Sequence, residues 1–142
     1  MPYVSMHEST RRMALHLVDA LVARGVAVAP FELSDFDLGK MASALVDAAT
    51  VVFGSPVVLG GAHPRVAYAA LTANLLRPRA RFASVFGSFG WGGRPTEQLL
   101  SMMPNLKLEL IEPVLCKGRP GAPTLAALDR LAAVIAEKHA TL

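Results

Sequence analysis

The chain has 142 residues and a formal net charge of +3, which fits one domain large enough to bury a core. Hydrophobic residues make up 53% and charged residues 18%, so a disordered or acidic-tail protein is excluded. No apolar stretch reaches membrane-span length before a charge, Gly or Pro interrupts it, and the lone Cys116 allows no internal disulfide. A reducing, cytoplasmic setting is therefore expected. No basic segment followed by an apolar run opens the chain, so no signal peptide is expected.

Residues 2–5 form a short apolar start. Residues 10–24 read as a helix, with Met13, Leu17, Ala20 and Leu21 at helical spacing and Gly25 as its stop. Residues 26–33 form a β-branched, apolar run, and residues 40–48 a short helix. TVVFG at 50–54 has the composition and length of a buried strand. Residues 64–76 read as a helix with Pro in its first turn. FASVFG at 82–87 is a second buried strand, and residues 95–103 a helix. Residues 106–115 are mixed. Residues 124–139 form the last helix, with Thr124 as its N-cap and Leu125, Leu128, Leu131 and Ile135 on one face.

Strands and helices thus alternate with short connections. Apolar strands without polar alternation indicate a parallel sheet covered on both faces, so a doubly wound α/β domain is expected. In such a domain ligands bind beyond the carboxyl ends of the strands. The turns at that end are residues 5–10, 55–62 and 88–94.

The first turn carries hydroxyls at Ser5, Ser9 and Thr10 and opens a helix, which suits a phosphate. It is neither a Walker loop nor a GxGxxG fingerprint. Ordinary capping by Ser9 or Thr10 explains it equally well. Arg11 and Arg12 oppose the helix dipole; a nearby dianion offsets that cost, as does exposure to solvent or a partner. In the second turn, Gly60 and Gly61 permit close backbone approach. The third turn sets Phe89 and Trp91 among Gly90, Gly92 and Gly93, as a flexible wall with an aromatic face. The one dense basic cluster, Arg77, Arg79 and Arg81, precedes the strand at 82–87. It lies at the opposite end and lacks interleaved aromatics, so it reads as a solvated turn or docking surface rather than a nucleic-acid site.

Residues 3–10 (YVSMHEST), Gly54-Ser55-Pro56 with Gly60-Gly61, and residues 86–93 (FGSFGWGG) stand in order at sensible spacing. Together they resemble the flavodoxin-like domain of flavodiiron proteins, or A-type flavoproteins. The resemblance covers essentially the whole chain. It implies a five-stranded parallel sheet in order 2-1-3-4-5 with helices on both faces, and one bound FMN. It implies that Ser5, Met6, His7, Ser9 and Thr10 hold the phosphate. Ser55, Pro56, Val57, Val58, Leu59 and Gly60 would line one side of the isoalloxazine. Ser88, Phe89, Gly90, Trp91, Gly92 and Gly93 would line the other. Glu8 stands where the family often has Gly, and its negative charge weakens phosphate binding unless it points away or pairs with Arg11 or Arg12. The family's first strand begins several residues earlier, so a truncated first strand is expected, and residues 1–142 are expected to be either an excised domain or the product of a reading frame with a late start.

The expected function is electron transfer through the flavin to a partner redox centre, on another domain or subunit such as a diiron lactamase-like one. A homo-oligomer is a further expectation; nucleic acid and membrane are not expected partners. No catalytic residue is required, since the cofactor carries the chemistry. No metal site is expected, because His7, His16, His63 and His139 are scattered without ligand spacing. Two alternatives remain: a module that has lost flavin and serves as an interaction domain, and an NAD(P)H-dependent flavin reductase. Cys116 and His63 read as structural.

Overall fold

The computed structural model describes all residues except 7, 36, 59 and 90–93. Among the described residues, the central sheet joins β1 (Pro2–Tyr3), β2 (Phe31–Glu32), β3 (Thr50–Gly54), β6 (Phe82–Phe89), β7 (Glu109–Leu110) and β8 (Val114–Lys117). Its order is β2-β1-β3-β6, with β7 and β8 both on the outer edge of β6, and every pairing is parallel. This is the expected order, with the fifth strand divided in two. Phe82 pairs Glu109 and Phe86 pairs Val114, so β7 and β8 follow one edge with a break between them. Pro113 lies in the break and has no N–H to give a ladder. The buried Ser84 hydroxyl crosses to the Ile111 carbonyl there, at 3.0 Å, and supplies a donor at the gap.

The two longest strands are apolar on both faces. Val52 and Phe86 pack with Met13, Leu17, Leu128 and Ile135 of α1 (Ser9–Ala23) and α5 (Ala122–Ala140). Val51, Phe53 and Val85 pack with Met41, Val66 and Leu99 of α2 (Leu38–Asp47), α3 (Pro64–Leu76) and α4 (Pro95–Ser101). Alternate residues point to opposite faces of a strand, so a strand buried on both sides is apolar except where a polar group such as Ser84 is hydrogen-bonded within the fold. That explains TVVFG and FASVFG directly. His16 and Asp129, 2.9 Å apart, tie α1 to α5 at the rim.

Several boundaries differ from expectation. Of the apolar run 26–33, only Phe31 and Glu32 form strand, beside Pro2 and Tyr3; Pro30 cannot donate to a ladder. Helix α2 starts at Leu38 because the Asp37 carboxylate accepts from the Lys40 N–H at 3.1 Å. Thr124 is not the N-cap of α5. Gly121 caps the helix, and Pro123, with its fixed φ, stands in the first turn. Strand β6 runs on to Phe89, so Ser88 and Phe89 belong to the strand rather than the following turn. Gly25 has φ +77°, the left-handed conformation that ends α1 as expected. Among the described residues, no helix is long and apolar enough to cross a membrane.

Candidate functional site at the carboxyl ends of the strands

Helix α1 begins without a conventional cap. Glu8, at the N-cap position, has φ +67° and makes no side-chain capping bond. The Ser5 hydroxyl instead accepts from the Arg11 N–H at 3.2 Å, and the Arg12 N–H closes the first helical bond on Glu8. No described residue accepts from the Ser9 or Thr10 N–H. Among the described residues these two donors at the positive end of a helix dipole are open, as an anion site requires. The Glu8 carboxylate turns to Arg11, 3.4 Å away, one of the two arrangements that relieve its charge. Both side chains are exposed, so the pair adds little stability. Its consequence is local, because it offsets the acid's charge beside the helix start.

The second loop is a small antiparallel hairpin that sequence reading missed. Strand β4 (Val57–Val58) pairs with β5 (Gly61–Ala62), and Gly60 at the tip has φ +81°. The signal was a two-residue connection ending in Gly between apolar pairs. Ser55, fully buried, frames the hairpin: its hydroxyl accepts from the His63 N–H at 2.8 Å and donates to the Pro56 carbonyl at 2.7 Å. The Gln98 amide oxygen of α4 accepts from the Ala62 N–H at 2.6 Å, and the Arg94 N–H reaches the Gly60 carbonyl at 3.1 Å. Gln98, absent from the sequence expectations, therefore joins the second loop to the helix that follows the third. His63 caps α3 with its ring Nδ1, which accepts from the Arg65 N–H at 3.1 Å. Burial, then the nearby Arg65 charge, push its pKa below the usual 6.5.

The third wall comes from the end of β6 and the loop after β8. The Ser88 hydroxyl donates to the Gly118 carbonyl at 2.5 Å, and the Gly118 N–H donates to the Phe89 carbonyl at 2.9 Å.

These three walls border an open cavity of about 460 Å³. Among the described residues it is lined by Met6, Ser9, Thr10, Pro56, Val57, Val58, Ser88, Phe89, Gly118 and Arg119. Its volume lies within the range of small-molecule sites, roughly 300–1,000 Å³. Eight of the expected site residues come together here. Ser5, Ser55 and Gly60 support the walls from behind. His7, Leu59, Gly90, Trp91, Gly92 and Gly93 lie outside the described residues. Gly118 and Arg119 were not anticipated; the signal was a Gly-containing basic turn, Lys117-Gly118-Arg119, at this same end of the sheet.

A second cavity, about 410 Å³, lies between β2 and β3 at the opposite end, lined mainly by apolar residues such as Leu21, Val28, Phe31, Met41 and Val51. It has no open helix start. The exposed Arg77, Arg79 and Arg81 also lie away from the candidate site, in the turn entering β6. Among the described residues, no group of three or more His, Cys, Asp or Glu could hold a metal ion.

Fold and site together define a flavodoxin-like domain. The chain spans about a quarter to a third of the length of the curated relatives it matches. It is 36% identical over 109 residues, 77% of its length and 27% of the relative's, to a nitric oxide reductase of Moorella thermoacetica. It is 30% identical over 135 residues, 94% of its length and 34% of the relative's, to rubredoxin-oxygen oxidoreductase of Megalodesulfovibrio gigas. The solved structure of rubredoxin oxygen:oxidoreductase from Desulfovibrio gigas superposes with a TM-score of 0.89, 96% of this chain on 34% of that one, at 30% identity. A flavodoxin from the domain Archaea superposes at 0.76 over 97% and 98% of the two chains, at 23% identity, and shows the shared fold. No protein-family model matches the chain. The chain is a flavodoxin-like domain of the flavodiiron kind: its relatives and structural neighbours over most of its length are flavodiiron proteins and flavodoxins.

Proposed function

We propose that the chain binds FMN in the cavity at the carboxyl ends of the strands and serves as an electron-transfer domain. The observation that carries this is the pairing, in one cavity, of open N–H groups at the start of α1 with apolar walls from Pro56, Val57, Val58 and Phe89. A phosphomonoester needs the first and a flat aromatic ring the second.

The residues fit the group. Ser9 and Thr10 would meet the phosphate with backbone N–H groups and hydroxyls, and Met6 would cover the adjoining chain. Ser5 would hold the turn in place through its bond to the Arg11 N–H. Pro56, Val57 and Val58 would form one side of the ring slot, on a hairpin held by Ser55 and Gln98. Ser88 and Phe89 would form the other. The family pattern assigns His7 to the phosphate, Leu59 and Gly60 to one side of the ring, and Gly90, Trp91, Gly92 and Gly93 to the other. Bound there, FMN would supply one- and two-electron redox chemistry. The protein's part is to orient the ring, exclude water from one side and leave an edge open to a partner.

The chain's limited span of its relatives supports a reading as the flavodoxin-like portion of a larger system. Reduction of dioxygen or nitric oxide would take place on a partner domain or subunit with its own metal centre, supplied with electrons through this domain. Titration of the purified chain with FMN and with riboflavin tests the reading. Saturable binding of one FMN per chain is expected. Absence of FMN binding would favour an interaction module that has lost its flavin. Turnover of NADH or NADPH without a partner would favour a self-sufficient reductase.

A further inference from the structure

We propose that Arg119, in the loop between β8 and α5, is the cation that binds the FMN phosphate from the side opposite the α1 N–H groups. The inference rests on the flavin reading above and adds a fourth segment to its site.

Three observations place Arg119 there. The Cys116 thiol lies 3.8 Å from the Met13 sulfur, so the end of β8 packs against the first turns of α1. Met13 is one turn from Ser9, and Arg119 follows Cys116 by three residues, so both chain segments run on to the same end. Ser9, Thr10 and Arg119 accordingly line one cavity. The backbone beneath Arg119 is also held. Gly118, at φ +73°, is bonded to Ser88 through its carbonyl and to Phe89 through its N–H. Pro120 restricts the Arg119 backbone from the other side.

Charge points the same way. Arg119 is the one charged residue among the described residues lining the cavity. Among the described residues it has no ion-pair partner, whereas Arg11 is engaged by Glu8. A phosphate dianion held only by neutral donors lacks a counter-charge. A guanidinium offers a planar, two-pronged fit to phosphate oxygens, with charge-assisted bonds about twice as strong as neutral ones. A free phosphate-free flavin would gain nothing from it.

The test compares FMN and riboflavin affinities of the wild-type chain, Arg119→Gln and Arg119→Lys by quenching of flavin fluorescence, at low and high salt. Arg119→Gln is expected to weaken FMN about tenfold, equal to about 1.4 kcal/mol, with riboflavin unchanged. The salt dependence of FMN binding should also shrink, and Arg119→Lys should retain part of the affinity. Arg119 is exposed, and an unchanged circular dichroism spectrum checks that the variant folds. Unchanged FMN affinity, or equal losses for both flavins, would overturn the proposal. A changed reduction potential with unchanged FMN preference over riboflavin would overturn it too, by placing the charge on the ring. A wild-type chain that binds neither flavin would instead refute the flavin reading itself.

Discussion

Gly87 lies so close to the Ser55 carbonyl oxygen that a β-carbon on it would overlap that atom. The contact joins β6 to the start of the hairpin loop, where the Ser55 N–H also bonds the Phe86 carbonyl at 3.0 Å. Because the obstacle is backbone rather than a flexible side chain, the strands must separate to admit a methyl group. Gly87→Ala is therefore expected to destabilise the fold by about 1–3 kcal/mol and to loosen the hairpin wall of the cavity. Chemical denaturation measures the first effect and flavin titration the second. A variant as stable as wild type would show that the two strands are not held this tightly.

Ser9 and Thr10 provide the open N–H groups at the α1 start and stand on the phosphate side of the proposed site. Their hydroxyls are removed together in Ser9→Ala/Thr10→Ala. FMN affinity should fall about tenfold or more, on the order of 1.5 kcal/mol for bonds to a charged group, while riboflavin affinity stays near wild type. Equal losses for the two flavins would place these hydroxyls away from the phosphate.

His63 gives a pH signature. Its pKa is depressed by burial and by Arg65, and its neutral Nδ1 accepts the Arg65 N–H. A depressed folded-state pKa means that the fold favours the neutral ring. The stabilisation is complete above the ordinary value of 6.5 and is lost as pH falls through the lower folded value. His63→Asn keeps a capping acceptor that does not titrate. Its stability should match wild type near neutrality and decline less on acidification. Parallel stability–pH curves for the two proteins would remove His63 from the account.

Cys116 is buried against Met13, and its thiol pKa is raised by burial. The thiolate is the reactive form. Aromatic disulfide reagents should therefore modify it slowly in the native chain and stoichiometrically after denaturation. Rapid native labelling would mean that the β8–α1 contact opens readily.

Much of the fold was legible because two signals are strong and local. Thr50–Gly54 and Pro64–Leu76 match their expected bounds: the first is apolar because both faces are buried, the second begins with Pro. The grouping of the three loops around one cavity followed from strand polarity. What was hidden depends on pairing across distance. The divided fifth strand reflects Pro113 and a side-chain bond from Ser84 to Ile111, 27 residues apart in sequence. The role of Ser55 in framing its own loop depends on where His63 returns. Gln98 bonds the hairpin only because α4 packs against it, and the Gly-containing turn at Arg119 meets the cavity only because β8 packs against α1.

FMN binding in the cavity at the carboxyl ends of the strands underlies the proposed function. Equilibrium titration of the purified wild-type chain with FMN, followed by quenching of flavin fluorescence and by the protein-to-flavin ratio after gel filtration, tests it most directly. Saturable, noncovalent binding of one FMN per chain, tighter than riboflavin, is expected. A folded chain that leaves FMN fluorescence unchanged and elutes without flavin would contradict it.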